Sequence, residues 1–158
     1  HKGIIKTFPG LIKAFTKFYI LKKGNKTDFK EKMYRFLPYV NIEKDLPEFW
    51  ASHKNNIKDW YYKTQREDDV IISASPEFLL EPICKELGIK YLMATKVDMK
   101  TGKYEGINCH GKEKVRRFYE MFPNGKIEDF YSDSYSDSPL AEISKKAFLV
   151  KGNELKDW

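Results

Sequence analysis

Two acidic residues four apart, Asp133 and Asp137, stand in the run Ser132-Asp-Ser-Tyr-Ser-Asp-Ser-Pro139 that follows the apolar pair Phe130-Tyr131. Carboxylates this close repel unless a cation lies between them, and a loop that offers only oxygen donors favours a hard ion such as Mg2+. The plainer reading is a solvated loop in which Asp137 caps the next helix. Upstream, Ser73-Ala74-Ser75-Pro76 follows the β-branched run Val70-Ile71-Ile72. Free backbone N–H groups at the start of a helix opened by Pro76, joined by the Ser73 hydroxyl, would cradle an anion, and phosphate is its natural occupant. Ser75 also reads simply as a helix cap, whereas Ser73 is not needed for capping. The third group is Lys114, in Gly111-Lys-Glu-Lys114. Alone, a helix-borne lysine is usually solvated. Beside an anion cradle and a divalent-cation loop it supplies the fixed positive charge that phosphoryl transfer requires.

Such residues need strands and helices to present them, and the hydropathy pattern alternates the two. Val70–Ile72 reads as a strand. Phe78, Leu79, Leu80, Ile83, Cys84 and Leu87 repeat helically until Gly88. The apolar segment 89–97, with a polar turn at 98–103, predicts a hairpin returning through 104–107. A helix follows over 111–122, broken by Pro123-Asn124-Gly125; then come a strand over 126–131, a short helix over 138–145 and a strand over 147–150. This alternation predicts an α/β fold with a mainly parallel sheet, and in such sheets ligands collect beyond the carboxyl ends of the strands. All three candidate groups lie at such positions or at the following helix. The first 65 residues read as helical. An amphipathic stretch over 4–19 is interrupted by Pro9 and Gly10, a second helix starts after Thr27 or Asp28 and runs to about Leu37, and a third covers much of 42–65.

Composition sets the outer bounds. The 158 residues (18.7 kDa) are 41% hydrophobic, 33% charged and 15% aromatic, which is enough for a packed core and excludes a disordered polymer. No uncharged apolar run approaches the roughly 20 residues needed to cross a bilayer, so no membrane partner is expected. Cys84 and Cys109 are too few and too isolated for a disulfide framework or a zinc site, which favours a cytoplasmic setting. Residues 1–35 carry ten Lys/Arg against Asp28 and Glu31, so they hold all of the +6 net charge. That stretch is read as a solvated helix face or as an attractor of anionic substrates. No RNA-binding or helix-turn-helix signature argues for nucleic acid.

Taken together, these residues resemble the haloacid dehalogenase superfamily of phosphatases, in its phosphoserine phosphatase-like branch, over roughly 66–158. Asp69-Val-Ile-Ile-Ser73 is similar to the second family motif, which implies that Ser73, with Ala74 and Ser75 beside it, binds the transferring phosphoryl group. Gly111-Lys-Glu-Lys114-Val resembles the third, so Lys114 rather than Lys112 would steady the nucleophile and phosphate charges. Ser132–Leu140 resembles the fourth, with Asp133 and Asp137 holding Mg2+ directly or through water. The resemblance implies a Rossmann-like core over 66–158, a helical cap over 1–65 and a small phosphorylated substrate. One motif departs from the pattern. The Asp-x-Asp that carries the nucleophile and the acid/base occurs nowhere in the 158 residues, and Asp68 and Asp69 precede a strand instead of following one. The chain alone is therefore expected to be inactive, with the nucleophile on a central strand upstream of His1; the alternative is a non-catalytic module that binds phosphate and metal. Neither the compound hydrolysed nor an oligomeric state is specified.

Overall fold

The computed structural model describes residues 26–158. The amphipathic stretch expected over 4–19 lies outside the described residues. Two helical segments come first: α1 (Lys26–Met33), which passes into a 3-10 turn at Tyr34–Tyr39, and α2 (Ile42–His53). Asn41 caps α2 by accepting the Lys44 N–H at 3.2 Å, and Glu43 and Asp45 complement the positive end of its dipole. The helix expected over 42–65 is split, because a 3-10 turn at Lys54–Asn56 separates α2 from α3 (Asp59–Thr64). Both pieces are tied to residues 79–87. The Trp50 indole N–H donates to the Leu79 carbonyl at 2.7 Å, and the amide of Gln65, just past α3, donates to the Leu87 carbonyl at 2.6 Å.

Strand β1 (Val70–Pro76), helix α4 (Glu77–Glu86) and strand β2 (Tyr91–Thr95) make a parallel β-α-β unit. Ile83 and Cys84 of α4 are buried with Met93 and Ala94 of β2, as the apolar spacing requires. β1 is longer than the expected Val70–Ile72, and its ladder is irregular. Ile72 pairs with Met93 and Pro76 with Thr95, so Ser73, Ala74 and Ser75 bulge out of register. The hairpin expected after β2 is reduced to one bridge, Val97 with Tyr104, closed by the Asp98 turn.

Helix α5 (Lys112–Met121) leads to a second sheet. In it β3 (Ile127–Ser132) runs parallel to β4 (Ser144–Lys151), and β4 runs antiparallel to β5 (Glu154–Asp157). The helix expected over 138–145 shortens to a 3-10 turn at Tyr135–Asp137 and α6 (Ser138–Ala141), since Ser144 already belongs to β4. The fold is thus α/β with parallel pairing inside each sheet. Among the described residues β1 and β3 pair with no strand on their other edges, and both line one cavity of about 950 Å3. Trp60 of α3, Phe118 of α5 and Leu140 of α6 also line it, and the Trp60 ring stacks on Tyr131 of β3 at 5.0 Å.

Candidate active site

Ser73 sits in the bulge at the carboxyl end of β1. Its Oγ accepts the Ser75 N–H at 3.1 Å, which leaves the hydroxyl proton free to be donated. α4 carries no side-chain cap, so capping is not the use made of Ser75. Because a bulge turns successive residues away from the ladder, Ser73, Ala74 and Ser75 all line the cavity.

Lys114 lies in the first turn of α5. It is only 6% exposed, whereas Lys112 is exposed, so burial separates two lysines that spacing treats alike. A cation is disfavoured at the positive end of a helix, and a buried ammonium is costly unless paired. Its compensation is Asp137, whose Oδ1 lies 2.7 Å from Lys114 Nζ. The other Asp137 oxygen accepts the Ser132 hydroxyl at 2.8 Å. Asp137 precedes α6 without making a side-chain capping bond, so the capping alternative does not hold.

Asp133 is exposed and follows β3 directly. Ser73, Lys114, Asp133 and Asp137, drawn from three separate segments, all line the one cavity. Around the two carboxylates the hydroxyls of Ser132, Ser134 and Ser136 also line it, an all-oxygen donor set suited to a hard divalent cation. Among the described residues no group of three His, Cys, Asp or Glu is placed to hold a metal ion.

The rest of the lining carries no mark in the sequence that singles it out. His110, Trp60, Tyr61 and Tyr131 all face the cavity. Burial first, and then the negative charge of Asp69, hold the Tyr61 phenol above its ordinary range; burial first, and then Asp129, do the same for Tyr131. These rings therefore stay neutral at any physiological pH. Trp60 and Tyr61 stand out only as aromatics at helical spacing, which is ordinarily the mark of core packing. Ser132 could have been found from its place just ahead of the acidic pair.

A family model described as haloacid dehalogenase-like hydrolase matches residues 6–142. Among curated proteins, the chain is 33% identical over 96 residues to a probable phosphatase of Mycobacterium tuberculosis, covering 56% of this chain and 33% of that protein. It is 32% identical over 81 residues to the protein CicA of Caulobacter vibrioides, covering 48% and 36%. It is 24% identical over 152 residues to a histidinol-phosphatase of Neisseria meningitidis, covering 88% and 66%. The chain thus spans about a third of the length of the first of these relatives. No solved structure matches it.

Proposed function

Because this chain belongs to the haloacid dehalogenase-like hydrolase family, we propose that it supplies the phosphate-binding and metal-binding half of a Mg2+-dependent phosphomonoester hydrolase. The observation that carries this reading is the convergence of Ser73, Lys114, Asp133 and Asp137 on one cavity. Ser73 donates its hydroxyl proton to a phosphoryl oxygen, with the bulge at 73–75 bringing backbone N–H groups to the same anion. Lys114 balances the charge of that anion while held by Asp137. Asp133 and Asp137 hold Mg2+, directly or through water. When bound, the ion neutralises the phosphoryl oxygens and polarises them toward attack.

The attacking carboxylate is on an Asp-x-Asp strand outside these 158 residues: its oxygen bonds to phosphorus as the substrate's ester P–O bond breaks, the second Asp of that motif gives the leaving alkoxide its proton, and water then hydrolyses the aspartyl-phosphate to inorganic phosphate. Support comes from the fold: among the described residues β1 and β3 offer two unpaired edges to one cavity, where an inserted parallel strand would satisfy both and bring the remaining metal ligand. The helices up to Thr64 act as the cap, and the substrate is a small phosphorylated compound. Free, buried Cys84 and Cys109 fit a reducing, cytoplasmic setting. No described helix is long and apolar enough to cross a membrane.

A full-length protein carrying the Asp-x-Asp strand is expected to hydrolyse an aryl phosphate with Mg2+, to stop on addition of EDTA, and to lose activity in Asp133→Asn without unfolding. Turnover independent of metal would refute the assignment. The absence of Asp-x-Asp from the chain favours one second reading, a non-catalytic module that binds phosphate and metal. Phosphate binding with no turnover in the full-length protein would select it.

A further inference from the structure

Beyond the four residues at the cavity, one fully buried polar group has no part in the chemistry so far. Thr95, at the carboxyl end of β2, is 1% exposed. Its hydroxyl donates to Asn108 Oδ1 at 3.0 Å and accepts the Cys109 N–H at 3.0 Å. Asn108 is itself only 7% exposed, and Cys109 is fully buried with its thiol on the Met93 carbonyl. Buried hydroxyls and amides are retained where they fix a single arrangement, because leaving either unpaired is costly. Here the arrangement is the start of α5. Two residues after Cys109 the chain turns at Gly111, whose φ of +59° disfavours any side chain, and the first helical turn closes from Lys114 N–H to the Gly111 carbonyl at 3.1 Å. One turn further on, Arg117 donates to the carbonyls of Ala94 and Ile107, each at 2.6 Å. The helix that carries Lys114 is thus pinned to the end of β2 at two heights.

We propose that Thr95 and Asn108 are positioning residues for Lys114: the Thr95–Asn108 bond sets the height of α5 against β2 and so directs the ammonium onto Asp137 and into the phosphate cavity. The phosphate part of this inference rests on the hydrolase reading; the geometric part does not. A strand-end hydroxyl is suited to the task because it both donates and accepts, locking a side chain and a backbone amide of one loop at once. Misplacing the ammonium by even an ångström weakens both the pair and the anion contact.

The test uses the full-length protein, carrying the Asp-x-Asp strand, with 15N-labelled lysine. The Lys114 Nζ resonance is assigned by its loss in Lys114→Arg, and inorganic phosphate is titrated calorimetrically. In Thr95→Val the Nζ signal moves to the position of free surface lysines, and phosphate binds about tenfold more weakly, the loss typical of a removed supporting partner. Thr95→Ser retains both properties. In a Lys114→Met background, Thr95→Val causes no further loss of phosphate affinity. An unmoved Nζ signal in Thr95→Val, or an equal loss of phosphate affinity with Lys114 already removed, overturns the proposal. If Thr95→Val fails to fold, Asn108→Ala carries the same expectations and the same refutation. A wild-type full-length protein that binds no phosphate sinks the hydrolase reading alone, and the Nζ signal then still decides for or against Thr95.

Discussion

Lys114 Nζ and Asp137 Oδ1, 2.7 Å apart, join the two sheets formed by the described residues: α5 is anchored on β2 through Arg117, while Asp137 follows β3 and is held by Ser132. Truncation should therefore be asymmetric. Asp137→Ala strands a buried ammonium and is expected to cost about 3 kcal/mol, at the low end for breaking a buried pair. Lys114→Met costs less, about 2 kcal/mol, because Asp137 keeps its Ser132 bond. The double variant should lose less than the two singles together. Urea denaturation of all four proteins gives the coupling, and strict additivity would show that the pair contributes nothing.

Glu113 should give the fold an acid-sensitive contribution. Arg116 is the main cause that draws its carboxyl from 4.5 down to about 2, helped by Arg117 against the opposing effect of burial. Its carboxylate oxygens lie 2.8 Å from the guanidinium nitrogens of both arginines. A depressed carboxylate pKa stabilises the fold above the unfolded value, and that stability is lost as pH falls through the folded one. Wild type should thus exceed Glu113→Gln in urea midpoint at about pH 6, with the margin shrinking from about pH 4.5 toward about pH 2. A margin constant over that window would place the contribution elsewhere.

The sequence made legible whatever depends on local periodicity. The alternation of β1, α4 and β2 is readable from apolar spacing, and the Asp133–Asp137 loop from its charges. Lys114 is separable from Lys112 in principle, since it shares a face with Phe118 four residues on, and a lysine on an apolar stripe signals a buried charge. Long-range pairing leaves no such mark. The bulge at 73–75 depends on where β2 ends, and the polar segment Glu154–Asp157 becomes a strand only because β4 lies beside it. Nor does any spacing show that Thr95 meets Asn108. The split between β1 and β3 is likewise a statement about neighbours, which a motif does not encode.

Trp50 ties α2 to α4 by a single directed contact, its indole N–H to the Leu79 carbonyl at 2.7 Å. Trp50→Phe keeps much of the ring and removes the donor, so it should cost about 1 kcal/mol, the usual net worth of one such bond. The accompanying observation should be faster amide exchange across residues 42–53 than across β1 and β2. Uniform acceleration throughout the chain would instead mean that α2 unfolds only with the core.

Gly102 offers the sharpest test of how the helical segment docks on the core. It turns at φ +71°, and a Cβ placed on it would collide with the backbone carbonyl of Tyr34, so the Asp98 turn presses directly against the 3-10 segment. Tyr34 and Tyr104 add a tilted ring contact, centroids 6.1 Å apart. Gly88 provides the control, because its φ of +72° is nearly the same while a Cβ there meets nothing within 4 Å. Gly88→Ala should cost only the left-handed backbone penalty, about 1–2 kcal/mol. Gly102→Ala carries the same penalty and also forces the turn away from Tyr34, so it should cost measurably more and open the 34–41 region to proteolysis. Equal losses at the two glycines, with no new cleavage, would mean that the 3-10 segment does not rest on the turn.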